Sequence, residues 1–374
     1  MKYTRRAIIK TALGACAATA LGRYAPGQPA VSDAAISPVK AAFYDRLKDN
    51  AVECLVCPRK CRVPPGGRGV CGNKENREGK FYSLVHSYPC TVTLSDPIEK
   101  KPFFHFLPGA KTLSLSTSGC NLSCKFCQNW EISQAKPEDV RSVYVPPDKI
   151  IGMARENKLL VVAFTYAEPT VYYEYMYDIA GLCRKNDIKP VMVSNGYIKE
   201  EPLKKLCTQL SAVKIDLKSF SDEFYKKYCG GTLQPVLDTL LTLKKTGIWY
   251  EIVVLLIPNL NDSAEEIRRM CEWIKAELGP DVPVHFFRFH PAYQLTNIIR
   301  TPVKTLESAY DIGRKAGLNY VYVGNVSPHP AESTYCPKCG KVLVERGGYT
   351  VKQNVIRDGK CLDCQNPVSG VWSA

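Results

Sequence analysis

The sequence reads as an α/β protein. A partial barrel of about six strand–helix units spans residues 105–325, between a four-cysteine module at 51–80 and a ribbon-like module at 333–370. Two observations predict this. Short apolar stretches alternate with amphipathic ones through the middle of the chain, the pattern of parallel strands covered by helices, and the units fall short of the eight of a closed ring. Eleven of the 17 cysteines form three tight groups, two of them in the flanks, where segments of about 35 residues are too short to build a core without a staple.

In chain order, residues 1–25 read as a leader: Thr4-Arg5-Arg6-Ala7-Ile8-Ile9-Lys10 is a twin-arginine pattern before an Ala/Gly-rich apolar stretch. Ala18-Thr19-Ala20 offers a cleavage site, and Leu13-Gly14-Ala15-Cys16 offers a lipid attachment site instead. The expectation is export, to a periplasmic or membrane-associated location; a basic N-terminus on a cytoplasmic protein is the alternative. Residues 26–50 read as a linker and N-terminal extension. Strands are expected at Thr112–Ser116, Leu159–Phe164, Pro190–Ser194, Ala212–Asp216, Trp249–Leu256, Val284–Arg288 and Tyr320–Val323. Helices are expected at Thr170–Lys185 and Ser263–Glu277, the latter opening on a Ser263/Glu266 capping box.

The composition, 45% hydrophobic and 23% charged, excludes a mainly disordered chain, and no charge-free run is long enough for a multi-spanning membrane protein. The net charge of +14 would suit a nucleic-acid binder, but it counts every cysteine as neutral, and no basic stripe interleaved with aromatics stands out. Close C-x2-C pairs grip a metal ion better than they bridge distant loops. Cys54, Cys57, Cys61 and Cys71 make a closed four-thiolate set that suits zinc or a second iron–sulfur cluster, zinc being the simpler expectation. Cys336, Cys339, Cys361 and Cys364 look like the two knuckles of a zinc ribbon. Cys120, Cys124 and Cys127 are three, in the string GCNLSCKFCQN. A three-thiolate set suggests an iron–sulfur cube with one iron left open.

That C-x3-C-x2-C string, with Phe126 before its last cysteine, resembles the signature of radical S-adenosylmethionine (SAM) enzymes. The resemblance implies a six-fold (β/α) partial barrel. It also implies a [4Fe–4S] cluster whose open iron chelates SAM, and a 5′-deoxyadenosyl radical that abstracts hydrogen from a substrate. It places SAM contacts at Phe126 (adenine), Glu168 (amino group), Ser194 and Asn195 (ribose), Asp216 and Lys218 (a D-x-K pattern), the turn after Leu256 (adenine side) and His290 (ribose). The usual Gly-Gly before the acid is Tyr166-Ala167 here, which puts the backbone approach in question. The string from Asp96 to Phe106, the run Gln128–Gln134 and the N-terminal four-cysteine motif further resemble the radical SAM component of the AmmeMemoRadiSam system, a relative of pyruvate formate-lyase activating enzymes. Its implied partners are Memo-type and AMMECR-type proteins and a low-potential electron donor; the substrate, a protein among the alternatives, is left open by the motifs. Glu99, Lys100, Lys101 and His105 face either the barrel mouth or solvent. A glycyl-radical activase is the specific alternative; a zinc-ribbon nucleic-acid binder or an electron carrier without SAM chemistry is the alternative of another class.

Overall fold

The computed structural model describes residues 39–373; the expected leader and the start of the linker lie outside the described residues. An eight-stranded sheet organises the molecule: β1 (Thr91–Pro97), β2 (Lys111–Ser116), β3 (Val161–Phe164), β4 (Lys189–Ser194), β5 (Ala212–Asp216), β6 (Trp249–Leu256), β7 (Val284–Arg288) and β8 (Val321–Gly324), neighbours in chain order. All pairs are parallel except β1 with β2, which is antiparallel. The sequence reading missed β1. Its residues are mostly half-buried or exposed, so no apolar run marks it, and its terminal proline suits an edge. Helices α1 (Pro147–Glu156), α2 (Tyr173–Lys185), α3 (Glu200–Cys207), α4 (Gln234–Thr246), α5 (Ala264–Trp273) and α6 (Val303–Lys315) fill the crossovers. Among the described residues no helix is long and apolar enough to cross a membrane.

Strand parity divides the core. Val162, Phe164, Met192, Val213 and Ile215 pack outward with the helices, while Val161, Ala163, Val191 and Ala212 share a second cluster with Ile98, Phe103, Phe106 and Leu107. The segment after β1 therefore fills the lumen at the N-terminal ends of the strands. This corrects the expectation for Glu99 and His105, which face neither the mouth nor solvent. Both are fully buried. Glu99 accepts from Gly109 N and lies 3.6 Å from the Arg346 guanidinium; His105 meets Ser369 O and Tyr322 Oη through its two ring nitrogens. Glu251 closes this end, accepting from Phe104 N, His105 N and Trp249 Nε1 and pairing with His285.

Two helix expectations need correction. Residues 169–172 form a 3₁₀ turn, so the helix starts at Tyr173, and α5 runs into a π turn at Ile274–Leu278. The capping box is half made: Ser263 Oγ accepts from Glu266 N, but the Glu266 carboxylate takes Ser219 Oγ and Phe220 N instead. The residues expected as linker up to 50 also do more than connect. Val39–Lys40 pairs with Lys80–Ser83 and Tyr44–Arg46 with Val52–Cys54, so these residues belong to the N-terminal module. The C-terminal module is a three-stranded antiparallel sheet of Thr334–Tyr335, Val342–Gly347 and Thr350–Asn354.

Candidate active site at the strand ends

The C-terminal ends of the parallel strands surround one cavity of about 390 Å³, within the range of small-molecule sites. Cys120, Cys124 and Cys127 enter it from the loop after β2. Cys127 Sγ lies 3.1 Å from Ser133 Oγ, and Leu122 N donates to Cys120 Sγ over 3.4 Å. Among the described residues, the one group of three or more ligand side chains with donor atoms all within 4.8 Å of one another is Cys336, Cys339, Cys361 and Cys364. The three cavity thiols are thus spread around a space rather than closed on a point. Cys229 stands beside Cys124, and its thiol, together with burial, pushes the Cys124 thiol well above its ordinary value. Phe126 is buried against Phe224, ring centroids 5.8 Å apart, and lines the cavity.

At the end of β3, Tyr166 has a left-handed backbone (φ +71°). A side chain there costs on the order of 1–3 kcal/mol unless its surroundings hold it. They do: Tyr166 Oη donates to Asp96 at 2.8 Å, its carbonyl accepts from Asn129 Nδ2, and Lys101 Nζ sits 4.5 Å over its ring. Where the resemblance has a glycine, the backbone is left-handed although the residue is a tyrosine. Glu168 is buried, with Oε1 accepting from Thr170 N, Thr170 Oγ1 and Ser194 Oγ and Oε2 from Asn195 N. It fastens β3 to β4. Burial pushes its carboxyl above the usual range, although these donors pull the other way. Asn195 is also engaged, its amide reaching Asn121 Oδ1 and, at 3.7 Å, Cys120 Sγ.

β5 carries more than the expected D-x-K. Lys214, two residues earlier and so on the same face, is buried and pairs with Asp216, whose other oxygen takes Lys218 Nζ at 2.8 Å. Burial opposes ionisation of Asp216, but the two ammonium groups outweigh it and hold its carboxyl well below the usual range. Lys214 is lowered by burial; Lys218, also penalised by burial, is raised overall, chiefly by Asp216. The cluster presents a net positive charge to the cavity.

Phe126, Glu168, Ser194, Asn195, Asp216 and Lys218 therefore meet the three cysteines at one cavity, as do Lys100 and Lys101. His290 does not: it is exposed beyond β7, because Phe289 N bonds Thr301 Oγ1 and Phe289 takes the buried position. Nor does the turn after Leu256 line the cavity; Asn261 spends its amide on Lys218 O and Leu255 O, bracing β5 against β6. The sequence reading missed Lys214, whose strand parity with Asp216 was available, and Tyr349. The latter reaches the cavity from the C-terminal hairpin, a contact no local pattern records.

The family model of the radical SAM superfamily matches residues 114–274, from β2 through α5. An uncharacterised protein of Methanocaldococcus jannaschii is 45% identical over 313 residues, 84% of this chain and 93% of that one. The chain belongs to the radical SAM superfamily. It is accordingly an enzyme, of radical SAM fold. A pyruvate formate-lyase-activating enzyme of Clostridium pasteurianum is 27% identical over 45% of this chain and 71% of its own length. A GTP 3′,8-cyclase of Limosilactobacillus fermentum is 24% identical over 62% and 75% respectively. Superfamily membership implies a [4Fe–4S] cluster and SAM, and the three spread thiols beside a polar, net positive cavity fit that pair. The separate C-terminal group is tight: Sγ–Sγ distances are 3.5 Å for Cys336–Cys364 and 3.7 Å for Cys339–Cys361.

Proposed function

We propose that this chain cleaves SAM reductively at the β2–β5 strand ends and uses the resulting radical on a substrate docked at the cavity mouth. The single observation that carries the reading is the convergence of Cys120, Cys124 and Cys127 with Glu168 and the Lys214–Asp216–Lys218 cluster on one cavity. When bound and reduced, the cluster supplies the electron that splits the sulfonium C–S bond into methionine and a 5′-deoxyadenosyl radical.

The chain's own residues position. Lys218 and Lys214, with Asp216 neutralising one of them, leave one positive charge to meet the methionine carboxylate. Glu168 Oε2 accepts one protein donor, Asn195 N, and keeps acceptor capacity for the ammonium group. Phe126 offers the adenine an apolar wall. Ser194 and Asn195, expected at the ribose, act here by holding Glu168 and the Cys120 loop. Lys101, Tyr166 and Asp96 form a polar rim on the β1 side, suited to orienting a substrate.

The test is electron paramagnetic resonance of the anaerobically reconstituted, reduced enzyme. SAM should shift the cluster signal, because it ligates the open iron; an unchanged signal at saturating SAM contradicts the reading. Similarity to an activating enzyme favours a second reading, a glycyl-radical activase. It predicts a glycyl signal in a co-expressed partner. The Memo-type and AMMECR-type partners belong to the same proposal and are tested by anaerobic pull-down. For the C-terminal group we infer zinc, since a Zn–S bond of about 2.3 Å places tetrahedral thiolates roughly 3.8 Å apart, close to the spacing there.

A further inference from the structure

We propose that Cys54, Cys57, Cys61 and Cys71 hold a second [4Fe–4S] cluster, placed to pass an electron to the radical-generating centre. Zinc is the simpler expectation for this set, and the wider spacing of its thiols favours a larger centre. All four cysteines line one cavity, are free of disulfides, and share its wall with Val56, Phe81 and Val171. They do not draw together: among the described residues only the C-terminal four bring three or more ligand atoms within 4.8 Å. A single zinc ion needs thiolates about that close, roughly 3.8 Å apart. A cube of iron and sulfide stands between its thiolates and keeps them wider. The N-terminal set thus shares its spread arrangement with Cys120, Cys124 and Cys127, not with the ribbon.

The surroundings suit a buried anion. Arg59 lines the cavity, and Val70 N donates to Cys61 Sγ over 3.5 Å; the buried Lys74 lines it too, with Glu174 as its counter-ion. A four-thiolate cluster carries net negative charge, which Arg59 and the Val70 N–H offset.

The position suggests the role. Asn121 lines this cavity while its neighbour Cys120 lines the other. Arg59 Nε donates to Asn121 O at 2.8 Å, and Asn73 Nδ2 donates to Ser118 O at 2.6 Å. Between them Gly119, at φ +88°, lies so near that an added Cβ would stand 2.5 Å from Cys71 O. The backbone strip Ser118–Asn121 thus runs between the two cysteine sets, and Thr170 of the N-terminal cavity wall bonds Glu168 of the other. A reduced ferredoxin-type protein would give one electron to the second cluster, taking it from 2+ to 1+. That cluster returns to 2+ as the radical-generating cluster goes from 2+ to 1+, and no atom or proton moves. This role rests on the SAM reading above; the cluster assignment does not.

The experiment counts metals and reads spectra on anaerobically reconstituted full-length chains. Wild type should hold about eight irons and one zinc, and a Cys120→Ala/Cys124→Ala/Cys127→Ala variant about four irons with a reducible cluster signal indifferent to SAM. A Cys54→Ser/Cys57→Ser/Cys61→Ser/Cys71→Ser variant should keep the SAM-responsive signal and cleave SAM with dithionite, but lose cleavage driven by reduced ferredoxin. About four irons and two zincs in wild type, or no iron in the triple variant, would overturn the second cluster. The wild-type count decides even where a variant does not fold. Ferredoxin-driven cleavage equal to wild type in the four-serine variant overturns the relay. Eight irons with no response to SAM would instead sink the SAM reading and leave the second cluster standing.

Discussion

At the scale of single residues, the site depends on charges that only one another make tolerable. Lys214 is buried with Asp216 as its counter-ion. Asp216→Asn should therefore cost about 3 kcal/mol of stability, because breaking one side of a buried pair strands the other; thermal unfolding measures it. Lys214→Met removes a buried charge together with half of Asp216's support, and is expected to weaken SAM binding roughly tenfold while costing less stability. Glu168 gives a pH signature. Its carboxyl is raised by burial, so a protonated fraction persists above the ordinary carboxylate range. SAM affinity should fall as pH drops through that raised value, and Glu168→Gln should lose both the affinity, roughly tenfold or more, and its pH dependence. Titration calorimetry at several pH values checks this; an unchanged slope in Glu168→Gln contradicts it. Local patterns made the cysteines, Glu168 and D-x-K legible. Tyr166 was legible only as a departure from pattern, because the Asp96 and Lys101 that hold its left-handed turn lie some 65–70 positions away.

At the scale of elements, the parallel strands were legible because each is short, apolar and buried on both faces; Ala212–Asp216, Trp249–Leu256 and Val284–Arg288 fall at the expected residues. The segment after β1 was not. Its Glu99, Lys100, Lys101 and His105 read as surface or mouth, yet Phe103, Phe106 and Leu107 fill the lumen and Glu99 and His105 are fully buried. What a polar string does inside a barrel depends on partners from distant strands, here Glu251 and Tyr322. Burial lowers the His105 imidazole from 6.5 to about 4. Between those values the unfolded chain takes up a proton that the native state refuses, so stability is full above pH 6.5 and declines as pH falls toward 4. The loss sums to about 3 kcal/mol. His105→Gln should flatten this decline by one proton's slope in urea unfolding at pH 7 and pH 5; parallel slopes would contradict it.

At the scale of the whole molecule, two cysteine modules flank a catalytic barrel, and both touch what the barrel needs. The N-terminal module abuts the Cys120 loop, and its buried Lys74 pairs with Glu174 of α2. The C-terminal module sends Arg346 to Phe104 O and Glu99, and brings Tyr349 to the cavity. Cys336→Ser should abolish the zinc binding proposed for the C-terminal group and loosen this anchor, lowering the thermal midpoint while the iron content stays unchanged; metal analysis beside calorimetry reads both. The modules' existence was legible from cysteine spacing, but their docking was not, since it is made of single long-range contacts. The claim on which the rest depends is SAM cleavage at the Cys120–Cys124–Cys127 cavity. Anaerobically reconstituted enzyme, given dithionite and SAM, should form 5′-deoxyadenosine and methionine in equal amounts, and Cys124→Ala should form neither. A fully iron-loaded wild type that yields no 5′-deoxyadenosine, or a Cys124→Ala variant that yields as much, would contradict the account.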